Sequence, residues 1–363
     1  MLPYFLLFAL IAAPAIVSGR LKGMKSQRSR LWYQSAILVI AIGLRTEVGG
    51  DWYVYLRIFQ FCASADLWTA ITVSVSDPGY GLVNWVAGQL GLGIWAVNFI
   101  CALIFTWGLR SFCRAQSNPA LAMLVAVPYM CIVVAMGYTR QSVALGLIMA
   151  AAVAYQQNKI FRFLVLLIIA TSFHKSAIVV APLFAFAGAR NRFMIFVAVV
   201  LTALVGYYIF LSGSVDKLLT NYVAAQSQSG GAAIRAAMNV AAALVLFLYR
   251  KSLPLTDGER RLWFAFALAA IGCAILLLFS PSSTAVDRIA LYLLPLQIVA
   301  FSRLPDIHPE QGARSLGLVV GVVGYSLMVL IIWLELGNAS WAWIPYQNYL
   351  WLPNSYVPKH HHE

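Results

Sequence analysis

The sequence is poor in charge. Only 10% of its 363 residues are Asp, Glu, Lys or Arg, and just 12 are acidic. Soluble domains carry about 25% charged residues, so this chain cannot clothe a water-facing surface. A cytosolic enzyme, a disordered tail and a secreted disulfide scaffold are excluded. Among its five cysteines (Cys62, Cys101, Cys113, Cys131 and Cys273) there is no C-x-x-C pair and no even set in one loop. Neither a disulfide framework nor a zinc site is expected. No serine nucleophile elbow, no metal-ligand spacing and no glycine-rich phosphate loop is present either, so no cofactor and no metal are expected. The first apolar stretch, Leu2 to Gly19, lacks a basic segment before it; its charges (Arg20, Lys22, Lys25) follow it. That order suits a retained first helix, not a cleaved signal.

What the chain does have is apolar sequence. Hydrophobic residues make up 62% and the mean hydropathy is +0.81. Crossing ~30 Å of hydrocarbon takes ~20 apolar residues per helix. The expected fold is therefore all-α: a polytopic integral membrane protein with about 12 transmembrane helices and one transmembrane domain over residues 1–363. Spans are expected at 2–19, 31–44, 94–109, 119–137, 140–156, 160–173, 176–188, 193–211, 233–249, 262–279, 288–302 and 315–336. A re-entrant hairpin is the alternative for 160–188.

The net charge of +13 would suit nucleic acid in a soluble protein. Here it follows sidedness. With the loop after the first span placed in the cytoplasm, 17 of the 25 basic residues fall in cytoplasmic loops and 8 of the 12 acidic residues fall outside. This is the positive-inside pattern. It places both termini outside and leaves no reason to expect nucleic acid. Three outer segments result: a long loop at 45–93 with interfacial or re-entrant helices, a Gly/Ser/Gln-rich mobile loop at 212–232, and a C-terminal tail at 337–363.

Five polar groups gather on that outer side. They are RTEVGGDWYVY at 45–55, DPGYGLVNW at 77–85, GYTRQSVA at 137–144, SFHKSA at 172–177 and VDRIALYLLP at 286–295. The Gly-Gly pair before Asp51 permits a sharp bend, Asp77-Pro78-Gly79 reads as a turn into a helix, and Thr139 is a candidate helix cap. Taken singly, each has a bland explanation: Arg45 as a snorkelling side chain, Arg288 as another or as the partner of Asp287, and Asp77-Pro78-Gly79 as a turn and no more; for Asp77, Lys217 and Arg235 the bland reading is preferred. Together, Arg45, Arg140, Lys175 and Arg288 are four cations on the disfavoured side, and ionisable groups at membrane depth mark function. A diphosphate is the matching anion, since the planar guanidinium grips phosphate oxygens bidentately. His174, which titrates near neutrality when unperturbed, is the first candidate base; Asp51 and Glu47 are the carboxylate alternatives.

In this order the pieces resemble the EpsG family of exopolysaccharide polymerases, which are Wzy-like membrane proteins. The likeness is carried by Arg45 with Gly50-Asp51 and Tyr55, Asp77-Pro78-Gly79-Tyr80, Arg140-Gln141, Phe173-His174-Lys175-Ser176-Ala177, Arg288, and Pro345-Tyr346. The family usually has Glu at the position of Asp77. The resemblance implies a metal-independent glycosyltransferase with the architecture of lipid-donor (GT-C-like) enzymes. It would join polyprenyl-diphosphate-linked oligosaccharides at the outer face of a bacterial inner membrane. It implies a base at His174, Asp51 or Glu47, and substrate binding by Arg45, Arg140, Gln141, Lys175, Arg288, Tyr55, Tyr80 and Tyr346, the tyrosines stacking on sugars or anchoring at the interface. The partners it implies are the lipid-linked glycan, membrane lipids, and chain-length regulator and export proteins. The rival readings are a flippase for lipid-linked glycan, and a ligase-like transferase or acyltransferase.

Overall fold

A computed structural model describes residues 1–18, 24–73, 76–188, 231–279, 283–307 and 312–351. Its regular elements are helical, in the order α1 (Leu2–Ser18), α2 (Met24–Gly43), α3 (Trp52–Ser64), α4 (Leu67–Thr72), α5 (Pro78–Gln89) and α6 (Ile94–Arg114). Then come α7 (Pro119–Ala126), which continues as a wider π-helical stretch through Val127–Ala135, α8 (Thr139–Gln156) and α9 (Ile160–Phe173). A 3-10 segment, Lys175–Val180, leads into α10 (Ala181–Gly188). The remainder is α11 (Ala232–Leu248), α12 (Asp257–Phe279), α13 (Ser283–Ala290), α14 (Pro295–Arg303) and α15 (Gly312–Leu336), with short 3-10 turns at Ser340–Trp343 and Tyr349–Trp351.

Helical segments lie at eleven of the expected positions, but the one expected at 288–302 is divided between α13, a 3-10 turn at Leu291–Leu293 and α14, and the one at 176–188 begins as a 3-10 segment; the one at 193–211 lies outside the described residues, as do most of the loop at 212–232 and the tail beyond residue 351. Among the described residues, four segments are long and apolar enough to cross a membrane: Ile94–Arg114, Asp257–Phe279, Val286–Ile307 and Ser315–Leu336. Several helices run past the expected limits. Arg110 and Arg114 lie inside α6, Lys25, Arg28 and Arg30 inside α2, and Arg260 and Arg261 inside α12. A long cationic side chain lets a helix continue beyond the hydrocarbon because its charge extends along the stem into water.

The centre of the bundle is α7 with its π continuation and α8. Pro119 to Ala135 is buried throughout, as are Gln141 to Ala152. These helices are enclosed by their neighbours on every face and turn none of it to lipid. α6 and α8 run parallel and cross where both are glycine: a Cβ at Gly108 would stand 2.0 Å from the Gly146 carbonyl oxygen. Such a stripe of small residues lets two membrane helices meet backbone to backbone. The parallel course puts the start of α8, with Arg140, at one end of the bundle. Its last turn, with Gln157 just beyond, lies at the other end beside Arg110 and Arg114.

The segment after α15 is built into the fold. Thr46 N–H donates to the Gln347 oxygen (3.1 Å), Gly49 N–H to the Ala342 oxygen (2.8 Å) and Tyr349 N–H to the Leu44 oxygen (2.8 Å). Arg45 and Asn348 pair as a single antiparallel bridge. Trp343 is fully buried and donates from Nε1 to the Ile132 carbonyl at 2.8 Å. Gly49 adopts φ +105°, and a Cβ there would meet the Met136 oxygen at 2.4 Å; only glycine fits both demands.

Candidate active site

The first wall of the site is the turn before α3. It presents Asp51 half-buried and Tyr55 buried one turn later. The second wall is the start of α5. Asp77 caps that helix and Pro78 occupies its first position, where the missing N–H costs nothing. The carboxylate of Asp77 accepts a 3.1 Å hydrogen bond from Nη1 of Arg140. Arg140 therefore joins α8 to α5, and the start of α5 lies against the end of α9, where a Cβ at Gly79 would meet Ser172 Oγ at 2.7 Å.

Arg140 is the centre of the cluster. Its guanidinium lies 6.0 Å from the centroid of the Tyr55 ring, and Tyr55 in turn meets Tyr80 edge-on at 5.4 Å. Nε of Arg140 is buried with no protein partner. An orphaned cationic N–H is costly, and a ligand oxygen would satisfy it. Gln141, the next residue, is buried and donates from Nε2 to the backbone oxygen of Arg288 at 2.8 Å. That contact brings the exposed side chain of Arg288 to the same end of the bundle.

His174 closes the third side. It sits in extended conformation where α9 ends and the 3-10 segment begins. Its Nδ1 lies 2.5 Å from Ser176 Oγ and 3.2 Å from the Tyr292 hydroxyl; Ser176 Oγ donates to that hydroxyl at 3.4 Å. With Nδ1 protonated, the order His174 to Ser176 to Tyr292 is satisfied and Nε2 keeps a lone pair; the opposite tautomer makes Nε2 a donor. Burial, then the positive charges of Arg140 and Arg288, push the imidazole down to about 3. Asp51 shifts the other way: burial raises its carboxyl, while Arg140 and Arg288 oppose the rise. Burial likewise raises Asp77, opposed by Arg140 and Lys175. Arg140 and Arg288 thus oppose the effect of burial on Asp51 and add to it on His174.

Not every residue expected there is open to a ligand. Arg45 is 1% exposed. Its Nε donates to the Met136 oxygen (2.9 Å), Nη1 to the Ile42 oxygen (2.6 Å) and Nη2 to Thr139 Oγ1 (2.8 Å). All three nitrogens are bonded to protein, so Arg45 is a strut beneath the site. Thr139 correspondingly accepts from Arg45 and is the first residue of α8, not its cap. Tyr80 is fully buried, and Tyr346 donates to the Ala41 oxygen at 2.8 Å while packing on Tyr4. The Tyr80 ring therefore presents no face for a sugar, and the Tyr346 hydroxyl is committed to the backbone. Glu47 occupies the turn before Asp51 at φ 52°.

A second charged group was not legible as such. Arg235, on α11, forms a bidentate ion pair with Asp287 on α13 and also donates to the Tyr129 hydroxyl in the π stretch. Asp287 thus pairs with Arg235, across 52 positions of sequence. Ser176 and Tyr292 also escaped notice, because nothing in SFHKSA or IALYLLP shows that the two segments touch. Among the described residues, no three His, Cys, Asp or Glu side chains converge as a metal group would.

Apolar helices stacked around a buried pair of central helices, with a charged cluster at one end, define a membrane-integral protein. The chain belongs to the EpsG family, whose model matches residues 32–348. Membership points to a function of the polysaccharide-polymerase type. No curated protein and no solved structure matches the chain.

Proposed function

We propose that the protein is a glycosyltransferase that joins polyprenyl-diphosphate-linked oligosaccharide repeats into an exopolysaccharide. It would work at the outer face of a bacterial inner membrane, within a twelve-span, lipid-donor type of architecture whose termini face the periplasm. One observation carries this reading: Arg140, paired with Asp77 and with its Nε buried and unbonded, stands beside the Gln141–Arg288 contact at the end of the bundle opposite the arginines of α6.

The donor sugar is attached to a diphosphate, and bond cleavage leaves negative charge on the phosphate oxygen. Arg140 and Arg288 are the groups that meet that charge, with Lys175 beside them. Preorganised cations of this kind typically contribute a factor of ~10²–10³ per donor. The acceptor hydroxyl attacks the anomeric carbon, its proton passes to a base, and the carbon–oxygen bond to the diphosphate breaks with the electron pair leaving on oxygen. Asp51 takes precedence over His174 as that base. A general base works best with a pKa near the operating pH. Burial moves Asp51 toward that range and moves His174 away from it. His174, neutral and held by Ser176 and Tyr292, is a hydrogen-bonding group for the sugar. The protein needs no metal for these steps, since arginines supply the positive charge.

The test uses purified protein and purified lipid-linked repeat, with product length read on a gel. A ladder supports the polymerase. A single attachment indicates a ligase-like transferase, and glycan movement without bond formation indicates a flippase. Near-normal turnover in both Arg140→Ala and Arg288→Ala overturns the diphosphate clamp.

A further inference from the structure

At the opposite end of the bundle lies a second polar hollow, of about 390 Å³. It is walled by the last turns of α6 and α8 and the first turn of α9. Three guanidinium side chains line it, those of Arg110, Arg114 and Arg162, with Ser111 and Gln157 between them. None of the three arginines takes part in an ion pair among the described residues. Other cations at this end are differently placed: Arg303 pairs with Glu259 at 2.6 Å, and Arg261 donates to the Ala187 oxygen at 3.1 Å.

Sidedness alone accounts for basic residues at this end, but not for their convergence. Arg110 and Arg114 are one turn apart on the same helix, a spacing at which like charges repel. Arg162 reaches the same hollow from α9. Arg110 is also held in place, its guanidinium stacked 3.7 Å above the ring of Trp32, an arrangement that orients a cation without neutralising it. Three convergent, uncompensated guanidiniums fit an anion with several oxygens.

The shape of α6 says what carries that anion. Leu103, Trp107, Arg110 and Arg114 follow one another at helical spacing along one face. Leu103 is 45% exposed and Trp107 39%. The face is apolar toward the middle of the helix and cationic at its end, which is the polarity of a phospholipid standing in a leaflet. Basic pockets between helices at the cytoplasmic surface bind anionic headgroups in this way. We infer that the hollow between α6, α8 and α9 is a binding site for an anionic phospholipid, its phosphate held by Arg110, Arg114 and Arg162 and its acyl chain lying along Trp107 and Leu103. The site is separate from the transferase centre and does not depend on that reading.

The experiment titrates phosphatidylglycerol, phosphatidylcholine or inorganic phosphate into delipidated full-length protein in zwitterionic detergent. Bound lipid is read by native mass spectrometry and unfolding by a thermal scan. The wild type is expected to retain phosphatidylglycerol in preference to phosphatidylcholine and to gain thermal stability from it alone. Arg162→Gln, at an exposed position, should weaken that binding about fivefold, from the attraction of one basic residue at a charged surface. Arg110→Gln/Arg114→Gln/Arg162→Gln should abolish the preference. If the triple variant does not fold, Arg162→Gln decides alone. Equal retention of the two lipids by the wild type, or unchanged retention in Arg162→Gln, overturns the site. Full displacement of phosphatidylglycerol by inorganic phosphate at matched concentration overturns the lipid assignment and leaves a free-anion site.

Discussion

Arg140 and Asp77 are joined by a 3.1 Å ion pair across 63 positions of sequence. The arginine starts a central helix, and the aspartate caps a short helix of the long loop. The pair is only partly shielded, with side-chain exposures of 26% and 10%, so its worth lies in aiming the guanidinium more than in stability.

That geometry separates two variants. Arg140→Ala removes the charge that meets the leaving group and should lower polymer formation on the order of 100-fold or more. Asp77→Asn keeps the charge but loosens its aim, and should cost about tenfold, mostly in kcat, with Asp77→Glu recovering part of it. Steady-state kinetics on lipid-linked repeat distinguish the two. Equal losses in Arg140→Ala and Asp77→Asn would mean that the pair acts as one structural unit.

The pH profile follows from two opposite shifts. Asp51 must be ionised to accept a proton, so turnover falls as pH drops through its raised pKa. The acid limb should therefore lie above the ordinary carboxylate range near 4. Arg140 and Arg288 hold that pKa down against burial, so Arg288→Gln should move the limb to higher pH. His174, pushed down to about 3, stays neutral throughout and should give no inflection near 6.5. A limb near 6.5 that disappears in His174→Asn but survives in Asp51→Asn would return the base to His174.

Arg45 behaves as a strut in this structure, and its variants should show it. Arg45→Met leaves two buried carbonyls and a threonine hydroxyl without their donor. The expected loss is about 2–4 kcal/mol of stability, read as a lower unfolding temperature and a poor yield of folded protein. Arg45→Lys, lacking the fork, should recover little of it. A stable Arg45→Met protein with lost turnover would instead make Arg45 a ligand-binding group.

The buried pair of Arg235 and Asp287 should respond asymmetrically. Removing one partner strands a charge, so Arg235→Met or Asp287→Leu alone should cost about 3–5 kcal/mol. The double replacement should cost much less, because burying two apolar groups of similar size avoids desolvating either ion. Chemical denaturation of the three variants gives the coupling directly.

Much of this architecture was legible in the sequence because lipid imposes a simple rule: uninterrupted apolar runs become helices. The helices follow those runs, and the segregation of Arg110, Arg114 and Arg162 from Asp51, Arg140 and His174 follows the charge count. Individual roles were less legible. Arg45 and Arg140 look alike in sequence, each a lone arginine at a helix end. What separates them is Thr46 pairing with Gln347, 301 positions away, and Trp343 bonding to Ile132, 211 positions away. Arg235 looked ordinary for the same reason, since its partner Asp287 is 52 positions away.

The crossing of α6 and α8 has a mechanical meaning. Gly146 lies near the middle of an 18-residue helix about 27 Å long, and backbone presses on backbone there. A Cβ at either glycine would force the two backbones apart, so this one crossing sets how deep α8 sits against α6, and with it the spacing between Arg140 at one end and Gln157 at the other.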